Sequence, residues 1–120
     1  MPQIDSTVRV QNVLEHMLQY CAQLDESLQE IEYSEARFLA SHPYQNAVAR
    51  CILQLGELVK QLPETFLERH PSIPWRVMAR TRDRYAHHYG DMDFSLVWHT
   101  ATEDIPTVRA FCAQFLSQVL

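Results

Sequence analysis

Residues 10–31, VQNVLEHMLQYCAQLDESLQEI, decide the fold: Val10, Val13, Leu14, Met17, Leu18, Cys21, Leu24, Leu28 and Ile31 recur at steps of three and four. That period places them on one stripe of an α-helix, with the charged residues on the opposite side. The pattern predicts a first helix of about 25 residues, capped at its start by Asp5 or Ser6.

The same period continues along the chain. Ser34 opens a short segment through Phe38 and Leu39, and His42-Pro43 then breaks the pattern, with Pro43 suited to a first helical position. From Tyr44 to Leu62, residues Ala47, Val48, Cys51, Ile52, Leu55, Leu58, Val59 and Leu62 form a second amphipathic helix. Gly56 lies inside it at a cost of about 1 kcal/mol relative to alanine, which implies a compensating close approach of another helix. Pro63 ends this helix, Glu64 to His70 makes one or two turns, and Pro71-Ser72-Ile73-Pro74 is an extended link.

Pro74-Trp75 opens a third main helix to about Tyr89, with Gly90 expected as a left-handed stop. Asp91 or Asp93 caps a segment at Leu96 to Ala101. A last helix runs from about Ile105 to Val119, and Pro106 either starts or kinks it. Only two glycines occur, and sustained alternation of apolar and polar residues is almost absent, so strands are disfavoured. The expectation is an all-α single domain spanning 1–120, an antiparallel four-helix bundle with one or two short extra helices.

The chain has 120 residues, enough for one core. It contains no apolar run of the ~18 to 20 residues that span a bilayer, and Gln3, Asp5 and Arg9 interrupt any leader-like amino terminus, so a cytoplasmic location is expected. Cys21, Cys51 and Cys112 sit in apolar helical patterns and read as buried hydrophobes rather than disulfides or zinc ligands. His16, His42, His70 and His99 lack the mutual spacing of a metal site. Trp75 and Trp98 fall on apolar positions and read as core. The formal charge of -5 argues against a generally basic surface.

The positive charge is nevertheless concentrated. Arg76, Arg80, Arg84 and His87 follow spacings of four, four and three on the third main helix, and therefore share a face. Such a row is either solvated and paired with Glu57, Glu64 or Glu68, or a place for an anion. In the segment Arg82-Asp83-Arg84-Tyr85-Ala86-His87-His88-Tyr89, a permanent cation, an imidazole and a phenol follow the spacing Arg-x4-His-x-Tyr. Arginine holds phosphate through a charged fork, and histidine moves protons near neutral pH. Arg82 and His87 stand ~140° apart on a straight helix, whereas Tyr89 returns to the face of Arg82. Either the helix end tightens and swings His87 round, or two copies of the segment share a cleft across a two-fold axis.

With these residues in place, the chain resembles the HEPN superfamily, and more closely the HepT-like (DUF86 type) toxins encoded beside a minimal nucleotidyltransferase (MNT) antitoxin. The resemblance spans nearly the whole chain. It includes Glu32-Tyr33, Ala47-Val48-x-Arg50, Leu55-Gly56-Glu57, Ile73-Pro74-Trp75, Met78, Asp91-x-Asp93, Val97-Trp98 and Asp104-Ile105-Pro106. It implies the toxin of a HEPN/MNT (type VII) toxin-antitoxin system, a metal-independent endoribonuclease that needs no cofactor. It further implies a homodimer whose two motif copies line one cleft for cellular RNA.

On that resemblance Arg82 binds the scissile phosphate, His87 transfers protons, Asp83 is a supporting polar residue, and Tyr89 is adenylylated by the nucleotidyltransferase partner. Arg76, Arg80 and Arg84 are candidate contacts to RNA phosphates. Two positions depart from the family pattern: His88 replaces a small residue, and Leu58-Val59 follow the Gly-Glu pair. The alternative is a non-catalytic nucleotide- or substrate-binding subunit of a nucleotidyltransferase complex.

Overall fold

The computed structural model describes residues 6–87 and 89–119, so the proposed cap at Asp5 and the role of His88 lie outside the described residues. Helices run in the order α1 (Ser6–Glu30), α2 (Glu35–Leu39), α3 (His42–Lys60), α4 (Glu64–Arg69), α5 (Trp75–His87), α6 (Phe94–His99) and α7 (Ile105–Val119). A 3₁₀ turn covers Tyr89–Asp91, and a π turn, Thr100–Asp104, joins α6 to α7. No strand occurs among the described residues. The four long helices α1, α3, α5 and α7 form the expected all-α bundle: α3 lies between α1 and α5, and α7 packs on the other side of α1.

The apolar stripe that predicts α1 is the core. Leu14, Met17 and Leu28 are completely buried and meet Val48, Leu55, Met78 and Val108 from the other long helices. Each such side chain contributes about 1.5–3 kcal/mol by leaving water. Phe38 of α2 plugs one end, with its ring 5.3 Å from Trp98 and 6.3 Å from Phe94. Gln45 is buried beside it and donates to the carbonyls of Phe38 and Leu39 at 3.2 and 3.0 Å, satisfying the end of α2. Trp75 is core, and its indole donates to His70 O at 3.0 Å. His70 caps the end of α4 and packs 4.8 Å from both Phe66 and Phe111. All three cysteines are buried and free.

Caps define the boundaries. Ser34 accepts from Arg37 N, Asp93 accepts from Ser95 N and Leu96 N, and Ser41, which the sequence reading passed over, accepts from Tyr44 N. The end of α1 is unusual because Glu32 and Tyr33 both adopt left-handed backbone, with φ of 56° and 52°. Their N–H groups close on Gln29 O at 2.9 Å and Leu28 O at 2.8 Å, the Tyr33 hydroxyl donates to Asp25, and Glu32 pairs with Arg37 at 3.6 Å.

One expectation is overturned. Gly90 is not a left-handed stop: no described glycine has positive φ, α5 ends at His87, and Gly90 sits within the 3₁₀ turn. α5 therefore ends without the special conformation, and a 3₁₀ turn follows at Tyr89–Asp91. Of the two expectations for Pro106 the first holds: it stands second in α7, which directly follows the π turn. It offers no N–H and its ring crowds the preceding turn, which the wider π geometry relieves.

Candidate active site

Two faces of α5 carry the residues of interest. Trp75, Met78 and Arg82 recur at three and four, so the face that buries Trp75 and Met78 also turns Arg82 toward α3. Gly56 on α3 makes room there. A methyl group on Gly56 would overlap Arg82 Cβ and come within 2.7 Å of Met78 O, so the predicted compensation for this helical glycine is the close approach of α5.

The Arg82 head enters a row of alternating charges. Its Nε is buried and faces Glu57 Oε1 without a directed hydrogen bond, and Nη1 donates to Asp83 Oδ1 at 3.1 Å. Asp83 Oδ1 also accepts from Lys60 Nζ. The Lys60 hydrogen bond, reinforced by that of Arg82, holds the Asp83 carboxyl below the usual carboxylate range. Glu57 and Lys60 stand three apart on α3 and reach the same side. Arg82 is 27% exposed, so its guanidinium is oriented by packing and charge yet open to solvent at one edge.

The opposite face is different. Arg76, Arg80, Arg84 and His87 are all exposed, as their spacing predicts. The expected pairing with Glu57, Glu64 or Glu68 is not found: among the described residues none of the three arginines makes an ion pair, and Glu57 is engaged by Arg82 instead.

Regular α-helix persists through His87, and a 3₁₀ turn covers Tyr89–Asp91. Arg82 and His87 are therefore separated by ~140° around the axis and ~7.5 Å along it, and one protomer does not bring them to a common face. Tyr89 opens the 3₁₀ turn, and its side chain is outside the described residues. A concavity of about 530 Å³ lies at the other end of α5, lined by Leu67, Ile73, Pro74, Trp75, Arg76 and Val77 together with Glu64 and Glu68, and neither Arg82 nor His87 borders it. No group of three or more metal-binding side chains occurs among the described residues, and no described helix is long and apolar enough to cross a membrane.

The sequence reading found Arg82, Asp83 and His87 but missed Lys60 and the engagement of Glu57. The signal was the Gly56-Glu57-x-x-Lys60 spacing, in which the glycine marks the approach and the two charges flank it.

Comparison with known proteins agrees with the family resemblance read from the sequence. The family model described as "Ribonuclease HepT-like" matches residues 17–115. A Thermococcus cleftensis protein named "Probable ribonuclease HepT" is 38% identical over 96 residues, covering 80% of this chain and 86% of its own. Two chains with provisional RNase names are also similar. One, from Methanocaldococcus jannaschii, is 32% identical with 88% of this chain and 83% of its own covered. The other, from Caldanaerobacter subterraneus, is 31% identical with 88% and 92% covered. No solved structure matches the chain.

Proposed function

The chain belongs to the ribonuclease HepT-like family, and from that membership and the arrangement on α5 we propose that it is an endoribonuclease acting without a metal ion, as a homodimer. In this reading it is the toxin of a type VII toxin-antitoxin pair. The observation that carries the proposal is the fixed placement of Arg82 on Gly56, between Glu57 and Asp83, five residues from an exposed histidine.

RNA brings its own nucleophile. The 2′-oxygen next to a phosphodiester attacks phosphorus, its proton passes to one imidazole, and the 5′-oxygen leaves with a proton from a second. The products are a 2′,3′-cyclic phosphate and a 5′-hydroxyl. The divergence of Arg82 and His87 supports a dimer, in which helices from two protomers contribute to one cleft and supply two copies of His87. Arg82 neutralises the charge that develops on the phosphoryl oxygens, an effect on the order of 10² to 10³ in rate.

Tyr89 is the control point. Transfer of an adenylyl group from ATP to its hydroxyl by the nucleotidyltransferase partner, with release of pyrophosphate, adds bulk and negative charge beside the motif. A cellular RNA substrate and such a partner imply a cytoplasmic protein.

The test incubates unmodified protein, verified by mass spectrometry at Tyr89, with transfer and total RNA in chelator, alongside Arg82→Ala and His87→Ala. Cleavage that persists in chelator and disappears in both variants is expected. An unmodified preparation that leaves RNA intact but forms a nucleotide-dependent complex with the nucleotidyltransferase would establish a binding subunit instead.

A further inference from the structure

Four of the ten lysines and arginines of this acidic chain lie on the 13 residues of α5, and only Arg82 among the four turns inward. Measured from Arg76, residues Arg80, Arg84 and His87 lie ~40°, ~80° and ~20° around the axis, so the row keeps to a sector of less than a quarter turn. Successive arginines rise ~6 Å along the helix, a step comparable with that between phosphates of an extended single strand. Three adjacent exposed guanidiniums without carboxylate partners among the described residues repel one another, and an anion with regularly spaced charges relieves this. The groove of about 530 Å³ opens at Arg76, ~16 Å along the axis from His87, and its wall is mixed: Leu67, Ile73, Pro74 and Val77 supply apolar surface, and Glu64 and Glu68 line it as well.

We propose that this face of α5 is a single-stranded RNA track, on which Arg84, Arg80 and Arg76 bind successive phosphates leading away from His87 and an unstacked base enters the groove beside Arg76. Single-stranded binding sites combine a charged rail with apolar or aromatic surface for bases in this way. Trp75 also lines the groove, but its ring is largely buried and its indole N–H is committed to His70 O, so the apolar surface offered to a base is mainly aliphatic. The proposal rests on the ribonuclease reading above for RNA as the occupant, and it adds where the strand runs and which contacts hold it.

The experiment separates the two. Fully 2′-O-methylated single strands of increasing length, which lack the attacking hydroxyl, are titrated by fluorescence anisotropy over a series of KCl concentrations. The proteins are wild type, R76A/R80A/R84A and R76K/R80K/R84K. Alanine suits exposed helix positions, and circular dichroism checks that the variants fold.

Each arginine withdrawn from a phosphate makes the slope of log affinity against log salt shallower by ~0.7. The alanine triple variant is expected to lose about 2 units of slope, and the lysine variant to keep them. Wild-type affinity should also rise with length until the groove is reached. An alanine variant with the wild-type slope overturns the track, whether or not the arginines prove to bind the nucleotidyltransferase. If that slope is unchanged while wild type still cuts unmodified RNA, the track alone fails. A shallower slope with no cleavage by verified unmodified wild type removes the ribonuclease reading and leaves the track.

Discussion

Gly56 of α3 is covered by the stem of Arg82: an added Cβ would overlap Arg82 Cβ and stand 2.7 Å from Met78 O and 3.1 Å from Arg82 Cγ. The tightest approach of α3 to α5 and the seat of the candidate phosphate-binding arginine are therefore the same place. Packing and chemistry are coupled through one missing methyl group.

Gly56→Ala has to push α5 outward, since backbone at Met78 O cannot swing aside as a side-chain tip can. Overpacking of this kind costs about 1–3 kcal/mol, more than the gain in helix propensity of about 1 kcal/mol. Urea denaturation is expected to show a net loss of stability, and cleavage at a temperature where the variant is folded should fall, because Arg82 moves with the helix. A variant as stable and active as wild type would refute the coupling.

Arg82→Lys retains charge but not the planar fork that faces Glu57 and Asp83 together. Cleavage is expected to drop on the order of 10²-fold, close to the effect of Arg82→Ala. Single-turnover rates on unmodified RNA decide it. A lysine variant within a factor of about three of wild type would show that only a point charge is required.

Asp83 provides a pH readout. Its folded carboxyl is depressed by Lys60 first and Arg82 second, so the stability it contributes is present above the unfolded value of ~3.9 and is lost as pH falls through the lower folded value. Titration of the side-chain carboxyl carbon by NMR should give a midpoint below 3.8. In Lys60→Met the midpoint should move up towards the unfolded value, and the part of the acid-induced loss of stability that Asp83 causes should shrink and level off at higher pH. An unmoved midpoint would remove Lys60 from the network.

The thiols are predicted to be inert. Burial pushes Cys21 and Cys112 up to about 12 and raises Cys51 as well, so thiolate is scarce near neutrality. Iodoacetamide at pH 8 should leave the native protein unlabelled over an hour and add three carbamidomethyl groups after denaturation, as counted by intact mass. Rapid native labelling would contradict the core assignment.

Glu32 and Tyr33 turn the corner after α1 in left-handed backbone, a conformation costing non-glycine residues about 1–2 kcal/mol each. Glu32→Gly is expected to be about 1 kcal/mol more stable than Glu32→Ala. Both lose the exposed contact to Arg37, so their difference in denaturation midpoint isolates the backbone contribution. Equal midpoints would mean that the turn is held by Tyr33 and Asp25 without strain at Glu32.

Much of the architecture was legible in the sequence because it derives from periodicity. The stripe from Val10 to Ile31 placed α1, and Ser34, Pro43 and Asp93 marked starts that the structure keeps. Gly90 misled because helix stopping by glycine is one of several ways to satisfy terminal carbonyls, and a 3₁₀ turn is another. Spacing on α5 separated Arg82 from the exposed row without showing what each face meets. That Glu57 and Lys60 flank Arg82 and Asp83 depends on the register of α3 against α5, which arises only when distant segments pack.

The π turn between α6 and α7 behaves as a spliced-in residue. Deleting one amino acid from 100–104 would let plain α-helix run from Phe94 toward Val119, with α6 and α7 still nearly in phase, because the π turn spends one extra residue on the same turn. Trp98 would keep its place on Phe38, as Val108 and Cys112 would keep theirs against α1. What the deletion would remove is the wider turn that accommodates Pro106, so the extra residue in this stretch serves the proline rather than the phase of the last helix.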